Sequence, residues 1–247
     1  MPLLLVATGL CIFTLGVHGI AGQRRVVAPL MRADMDPFAR GTLLVVWHMV
    51  TWTLAFACVA LLLSVLREPS YALGVGALCA GYALLFAWVS QRLFGDAIHL
   101  PQWILLGGVS VFALAGSRAS VAAANIAIAG VLGALGVVHV LWALGFTWPS
   151  RDLESLGLAV VGRKQFPSAL ACWIVAFGLF GLGLALVLPS PRGLRLGIAA
   201  LFALRGSLGF LEPLLRSEIK GTPYLVYSRY MYTPLSLSIG AAIAGTA

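Results

Sequence analysis

The residues best suited to chemistry in this sequence are four histidines and one arginine. His18, His48 and His139 lie inside apolar runs, and His99 just precedes one. At 1.5 Å per residue, all four fall within ~10 Å of the same end of the helices that such runs imply. Neutral imidazole is a common ligand for haem and transition metals. His18, His48 and His139 are therefore the candidate metal-ligating set. His18 and His48, on adjacent antiparallel helices at similar depth, form the closest pairing. No HxxxH, ExxH or HxH spacing accompanies them, and no carboxylate lies mid-run to complete a two-metal site. Hydrogen bonding to carbonyls, headgroups or water is the competing role.

Arg205 sits near the middle of an apolar run, Phe202-Ala203-Leu204-Arg205-Gly206-Ser207. An arginine at such a depth costs ~2.5–3.5 kcal/mol on insertion scales, so it is expected to face an interior and find a partner. Glu212 lies two turns on along the same face, ~10 Å away; Asn125 and Tyr82 are other candidates. Arg205 then serves either as an anchor for an anion, headgroup or carboxylate, or as a hydrogen-bonded strut. The segment beyond it is basic and aromatic, with Tyr224, Tyr227, Arg229, Tyr230 and Tyr232. That composition suits an interfacial belt or the mouth of a binding site. Arg205, Glu212, Tyr224 and Arg229 form the candidate ligand-binding set.

These residues need a scaffold, and composition dictates its medium. Of 247 residues 61% are hydrophobic and only 10% charged, with mean hydropathy +1.00. Water-soluble domains run nearer 25% charged. An ordinary cytosolic enzyme and a nucleic-acid-binding domain are excluded, and the net charge of +8 reads as loop charge on a membrane protein. Cys11, Cys58, Cys79 and Cys172 each fall in an apolar run without CxxC spacing, which makes them small core residues. The start of the chain lacks a basic n-region and reads as a mature helix.

A membrane-crossing helix needs about 20 mostly apolar residues. Eight stretches qualify: 3–21, 42–66, 71–93, 101–117, 120–146, 167–188, 194–213 and 232–246, the fourth and eighth being short. Connections after odd-numbered spans carry Arg24, Arg25, Arg32, Arg40, Arg92, Arg151, Arg163, Lys164, Arg216, Lys220 and Arg229. Those after even-numbered spans carry Arg67, Arg118, Arg192 and Arg195. By the positive-inside rule the first set is cytoplasmic and both termini lie outside.

The halves echo each other. Gly16-Val17-His18 is matched by Gly136-Val137-Val138-His139, and Pro101 with Gly107 by Pro234 with Gly240. Four spans per half give both halves one orientation, hence a parallel repeat, with modules at 1–118 and 119–247. The second half resembles a family of small four-span bacterial membrane proteins whose domain has no assigned function. The residues that carry the likeness are His139-Val140-Leu141-Trp142-Ala143-Leu144-Gly145, Leu204-Arg205-Gly206, Thr222-Pro223-Tyr224 and Tyr232-Thr233-Pro234-Leu235. In that family the last block reads with Phe at the position of Tyr224 and Asp at that of Ser228. The first half is similar to companion four-span proteins through Arg24-Arg25-Val26-Val27-Ala28-Pro29-Leu30, Trp47-His48 and Pro101-Gln102-Trp103. The resemblance implies architecture and no activity.

The expected fold is an all-α integral membrane protein of eight transmembrane helices, in the inner membrane. Phosphate-binding loops, dinucleotide fingerprints, HExxH and GxSxG are absent from the sequence. Three functions remain open: a structural, interaction or accessory protein; a carrier or binding protein for a small amphipathic or anionic molecule anchored by Arg205; and a haem- or metal-binding redox protein. Expected partners are membrane lipids, a small-molecule ligand or another protein, and no nucleic acid. The sequence specifies no cofactor.

Overall fold

The structure is a computed structural model that describes residues 1–117 and 120–247. Arg118, Ala119 and the boundary expected between them lie outside the described residues. Among the described residues the chain is helical, with no strand. Helix α1 spans Pro2–Arg32, α2 Pro37–Leu66, α3 Tyr71–Phe94, α4 Gln102–Gly116 and α5 Val121–Ala143. A short α6, Leu153–Val160, precedes α7 at Ala169–Val187 and α8 at Arg192–Leu215. The last helix, α9, occupies 223–246. Six of these, α1, α2, α3, α5, α7 and α8, are long and apolar enough to cross a membrane. Helix α4 is apolar but has only 15 residues, ~23 Å of rise.

Local sequence explains most boundaries. Asp36, Ser120 and Ser168 each cap a helix by accepting from the backbone N–H three residues on, which satisfies an orphan donor of the first turn. Asp152 and Ser155 form a reciprocal capping box at α6.

Two helices run past the limits expected from hydropathy. The segment holding Arg24, Arg25 and Arg32, expected as a connection, continues α1 as helix, leaving only Ala33–Asp36 between α1 and α2. Residues 223–232, expected as an aromatic loop, form the start of α9. Both contain a proline that should break a helix by clashing with the carbonyl four residues back. In both cases the preceding turns widen to π geometry, at His18–Val27 before Pro29 and at Ser228–Tyr232 before Pro234. The Ala28 N–H reaches Gln23 and the Thr233 N–H reaches Ser228, each five residues back. The wider turn keeps the helix going past the ring.

Packing is pairwise in each half. In the first, α1 packs on α2 and α3 on α4, with α1 also against α4. In the second, α5 packs on α7 and α8 on α9, with α5 also against α9. The halves meet mainly through α1 on α9 and α4 on α5. The corresponding pairs α3/α4 and α8/α9 each close over a glycine. A Cβ on Gly76 would fall 2.6 Å from Leu114 Cγ, and one on Gly206 2.6 Å from Leu237 Cγ. Leu4, Leu61, Phe112, Ile128, Leu132, Ile239 and Ile243 fill the core. Large apolar side chains such as Trp52, Phe56, Phe177 and Leu214 are exposed on the outer surface.

Candidate functional site

The polar residues of the second half gather around one carboxylate. On α8, Arg205, Gly209 and Glu212 follow at i, i+4 and i+7 and so share a face. Glycines at 206 and 209 let α9 approach closely; a side chain on Gly209 would overlap Thr233. Pro223 starts α9, as proline does at a first turn where its missing N–H costs nothing. That start brings Tyr224 over Glu212. The Tyr224 hydroxyl lies 2.8 and 2.6 Å from the two Glu212 oxygens and donates to the carboxylate. Ser228, one turn on, donates to the same carboxylate at 3.2 Å. Tyr224 and Ser228 are both buried.

Cations flank this group without closing on it. Arg205 Nη2 donates to the Tyr224 oxygen at 3.5 Å, the outer limit of a hydrogen bond. Arg205 is otherwise exposed. Arg216 Nη1 is 4.0 Å from Glu212 Oε1, and its guanidinium lies 5.8 Å from the centre of the Tyr224 ring. Arg216 also donates to the Val161 carbonyl at 3.0 Å. Its Nε lies 3.4 Å from Glu218, which takes a 2.8 Å bond from Arg163. The Arg163 hydrogen bond is the main reason the Glu218 carboxyl is pulled down to about 2. Tyr232 donates to the Ala159 carbonyl at 3.2 Å. The result is a closed polar net, with Glu212 as its acceptor and tyrosines from α9 as its straps. One atom stands outside it: the buried Thr233 hydroxyl has no hydrogen-bond partner among the described residues.

Of the expected ligand-binding residues, Arg205, Glu212 and Tyr224 come together. Arg205 and Glu212 do not pair directly, because the Tyr224 hydroxyl stands between them. Arg229 is exposed on the π turn, with no ion pair among the described residues.

The histidines are engaged separately. His18 stacks on Trp47 with centroids 3.9 Å apart, and its Nε2 lies 3.0 Å from Thr51 Oγ1. Thr51 gives its own proton to the Trp47 carbonyl, so His18 Nε2–H is the donor. His48 is exposed on α2. His139 Nδ1–H donates to the Leu135 carbonyl at 2.8 Å, within its own helix, and the ring meets Trp142 edge-on. Among the described residues, no group of three or more His, Cys, Asp or Glu is placed to hold a metal ion.

A second polar knot, centred on an acid that the sequence did not single out, joins the halves. After α3 ends at the left-handed Gly95, the buried Asp96 carboxylate accepts from the backbone N–H groups of Ile98 and His99. His99 Nδ1 sits 2.8 Å from it and Arg151 Nε 3.4 Å. The Ala97 N–H donates to Pro149 at 2.9 Å, Trp103 Nε1 to Ala97 at 2.7 Å, and Tyr227 to Ile98 at 3.2 Å. An Asp directly after the helix-ending Gly95 that accepts from the backbone N–H two residues on is an Asx turn, but nothing in the sequence marks this acid as buried.

Residues 132–243 match a family described as "Protein of unknown function (DUF3995)". The matched stretch contains His139, Arg205, Glu212 and Tyr224. No curated protein and no solved structure matches the chain.

Proposed function

We propose that this chain is an inner-membrane protein of eight transmembrane helices with both termini outside, working as a structural, interaction or accessory component. The observation that carries the reading is the Glu212 carboxylate, whose two oxygens take hydroxyls from Tyr224 and Ser228 of a different helix. An ionisable side chain in an apolar helix is costly unless paired, and here the pairing is spent on holding α9 to α8. The exposed apolar outer surface suits lipid. The matching pair pattern, α1/α2 with α3/α4 and α5/α7 with α8/α9, supports a parallel duplication.

A carrier or binding role anchored by Arg205 is the second reading, and the orphan Thr233 hydroxyl beside Gly209 favours it. Two substitutions separate the readings. Under the structural reading, Tyr224→Phe lowers stability by about 1.5–3 kcal/mol, the worth of a hydrogen bond to a charged group. Arg205→Leu leaves stability unchanged or raises it, because Arg205 contributes one long bond. Unfolding in detergent, followed by tryptophan fluorescence, measures both. Anions or amphiphiles that stabilise the native chain and lose their effect in Arg205→Leu overturn the structural reading in favour of the carrier.

A further inference from the structure

Far from Glu212, at the opposite end of α8, the two helix pairs of the second half part company. Helix α7 packs on α5 and α8 packs on α9, while α7 and α8 touch little despite the four-residue link between them. The cleft left there has a volume of about 330 Å³, within the range of small-molecule sites. Its walls are apolar, from Val121, Ile126, Val187 and Leu188, with two polar side chains, Asn125 and Arg195. Asn125 is 5% exposed, and its Oδ1 has no hydrogen-bond partner among the described residues. Buried polar atoms are nearly always satisfied, so an unmet acceptor on a residue that lines a cavity marks a place where something supplies a donor. Arg195 Nε donates to Ser190 at 3.0 Å and Nη1 to the Thr246 carbonyl at 3.4 Å. Those bonds use two of its five N–H donors. Val121 and Ala122, in the first turn of α5, also line the cleft, and helix geometry leaves such first-turn amides without intrahelical partners. Two needs therefore meet in one cleft: an acceptor wanting a donor and a guanidinium wanting an anion.

We propose that this cleft binds a glycerol phosphate group, its phosphate oxygens on Arg195 and a hydroxyl on Asn125 Oδ1. A simple carboxylate would serve Arg195 and leave Asn125 unmet. A phosphate flanked by hydroxyls serves both. Val121, Ile126, Val187 and Leu188 are exposed at the rim, where an acyl chain leaving the head group would lie. A phospholipid head and soluble glycerol 3-phosphate share this chemistry.

The site presupposes the membrane placement proposed above. The test uses the full chain in neutral detergent, with dioleoylphosphatidylglycerol, dioleoylphosphatidylcholine or glycerol 3-phosphate added. Thermal unfolding and native mass spectrometry report binding. Phosphatidylglycerol is expected to raise Tm above the phosphatidylcholine value by about 5 °C at a hundredfold excess over Kd, with a retained lipid adduct. Asn125→Leu and Arg195→Gln each abolish that increment, while Arg192→Gln, one turn away and exposed, keeps it. Asn125→Leu also unfolds no earlier than the native chain without lipid, since it removes the unmet acceptor, so its loss of response is not misfolding. An equal rise with glycerol 3-phosphate alone supports the site and assigns it a water-soluble ligand. An increment that survives Asn125→Leu, or that Arg192→Gln removes equally, overturns the proposal, as does indifference to all three compounds. A chain that purifies without detergent fails the membrane reading instead.

Discussion

Glu212 and Asp96 are both carboxylates with little access to water, and they are held in different ways. Glu212 takes hydroxyls from another helix, whereas Asp96 takes backbone N–H groups from its own turn and side chains from His99 and Arg151. Asp96 organises the turn that presents Ile98 and Ala97 to the second half. Asp96→Ala is expected to cost about 2–3 kcal/mol, because it strands buried donors, and Asp96→Asn, which keeps an acceptor, should cost less. Denaturant unfolding in detergent checks the order. The sequence made Arg205 and Glu212 conspicuous because charge inside an apolar run has few explanations. It hid their relation, since the bridging Tyr224 comes from a segment that composition assigns equally well to an interfacial belt. Asp96 was invisible for a simpler reason: an acid beside a glycine at a helix end looks solvated until its neighbours are known.

Among the elements, the membrane placement proposed above would make the paired helices depend on close backbone approach, since lipid removes the hydrophobic drive between them. Gly206 is the sharpest case. A side chain there meets Leu237 in its Cγ, Cδ2 and backbone nitrogen, so Gly206→Val should lower stability by about 1–3 kcal/mol through overpacking. Gly197, on the same helix with open space around it, accepts Ala without loss, since alanine is the better helix former. Thermal unfolding of the two variants side by side measures the contrast. Hydropathy located all the long helices because about 20 apolar residues leave little ambiguity. It misplaced one end each of α1 and α9 because Arg24 and Arg25 read as loop charge and Pro234 as a helix start, and hydropathy does not register a π turn that carries a helix past a proline. The short α6 was missed for its length, since eight residues leave too little pattern to read.

At the scale of the whole molecule, the connections at 95–101, 144–168 and 216–222 gather at one end, tied by Ala97 to Pro149, Ile98 to Tyr227 and Arg163 to Glu218. This is the end with the arginine and lysine excess, so a reporter active only outside the cytoplasm should give signal when fused after Ala247. Signal from a reporter active only in the cytoplasm would reverse the proposed orientation. The three tyrosine straps of α9 reach Ile98, Ala159 and Glu212, partners from three earlier segments. Helix α8 precedes α9 in the chain. Before α9 packs, Glu212 stands on α8 with neither of its hydroxyl donors, a poorly compensated acid in an apolar helix. Docking of α9 and closure of the polar net are therefore one event, and a molecule whose α9 has come away displays that carboxylate.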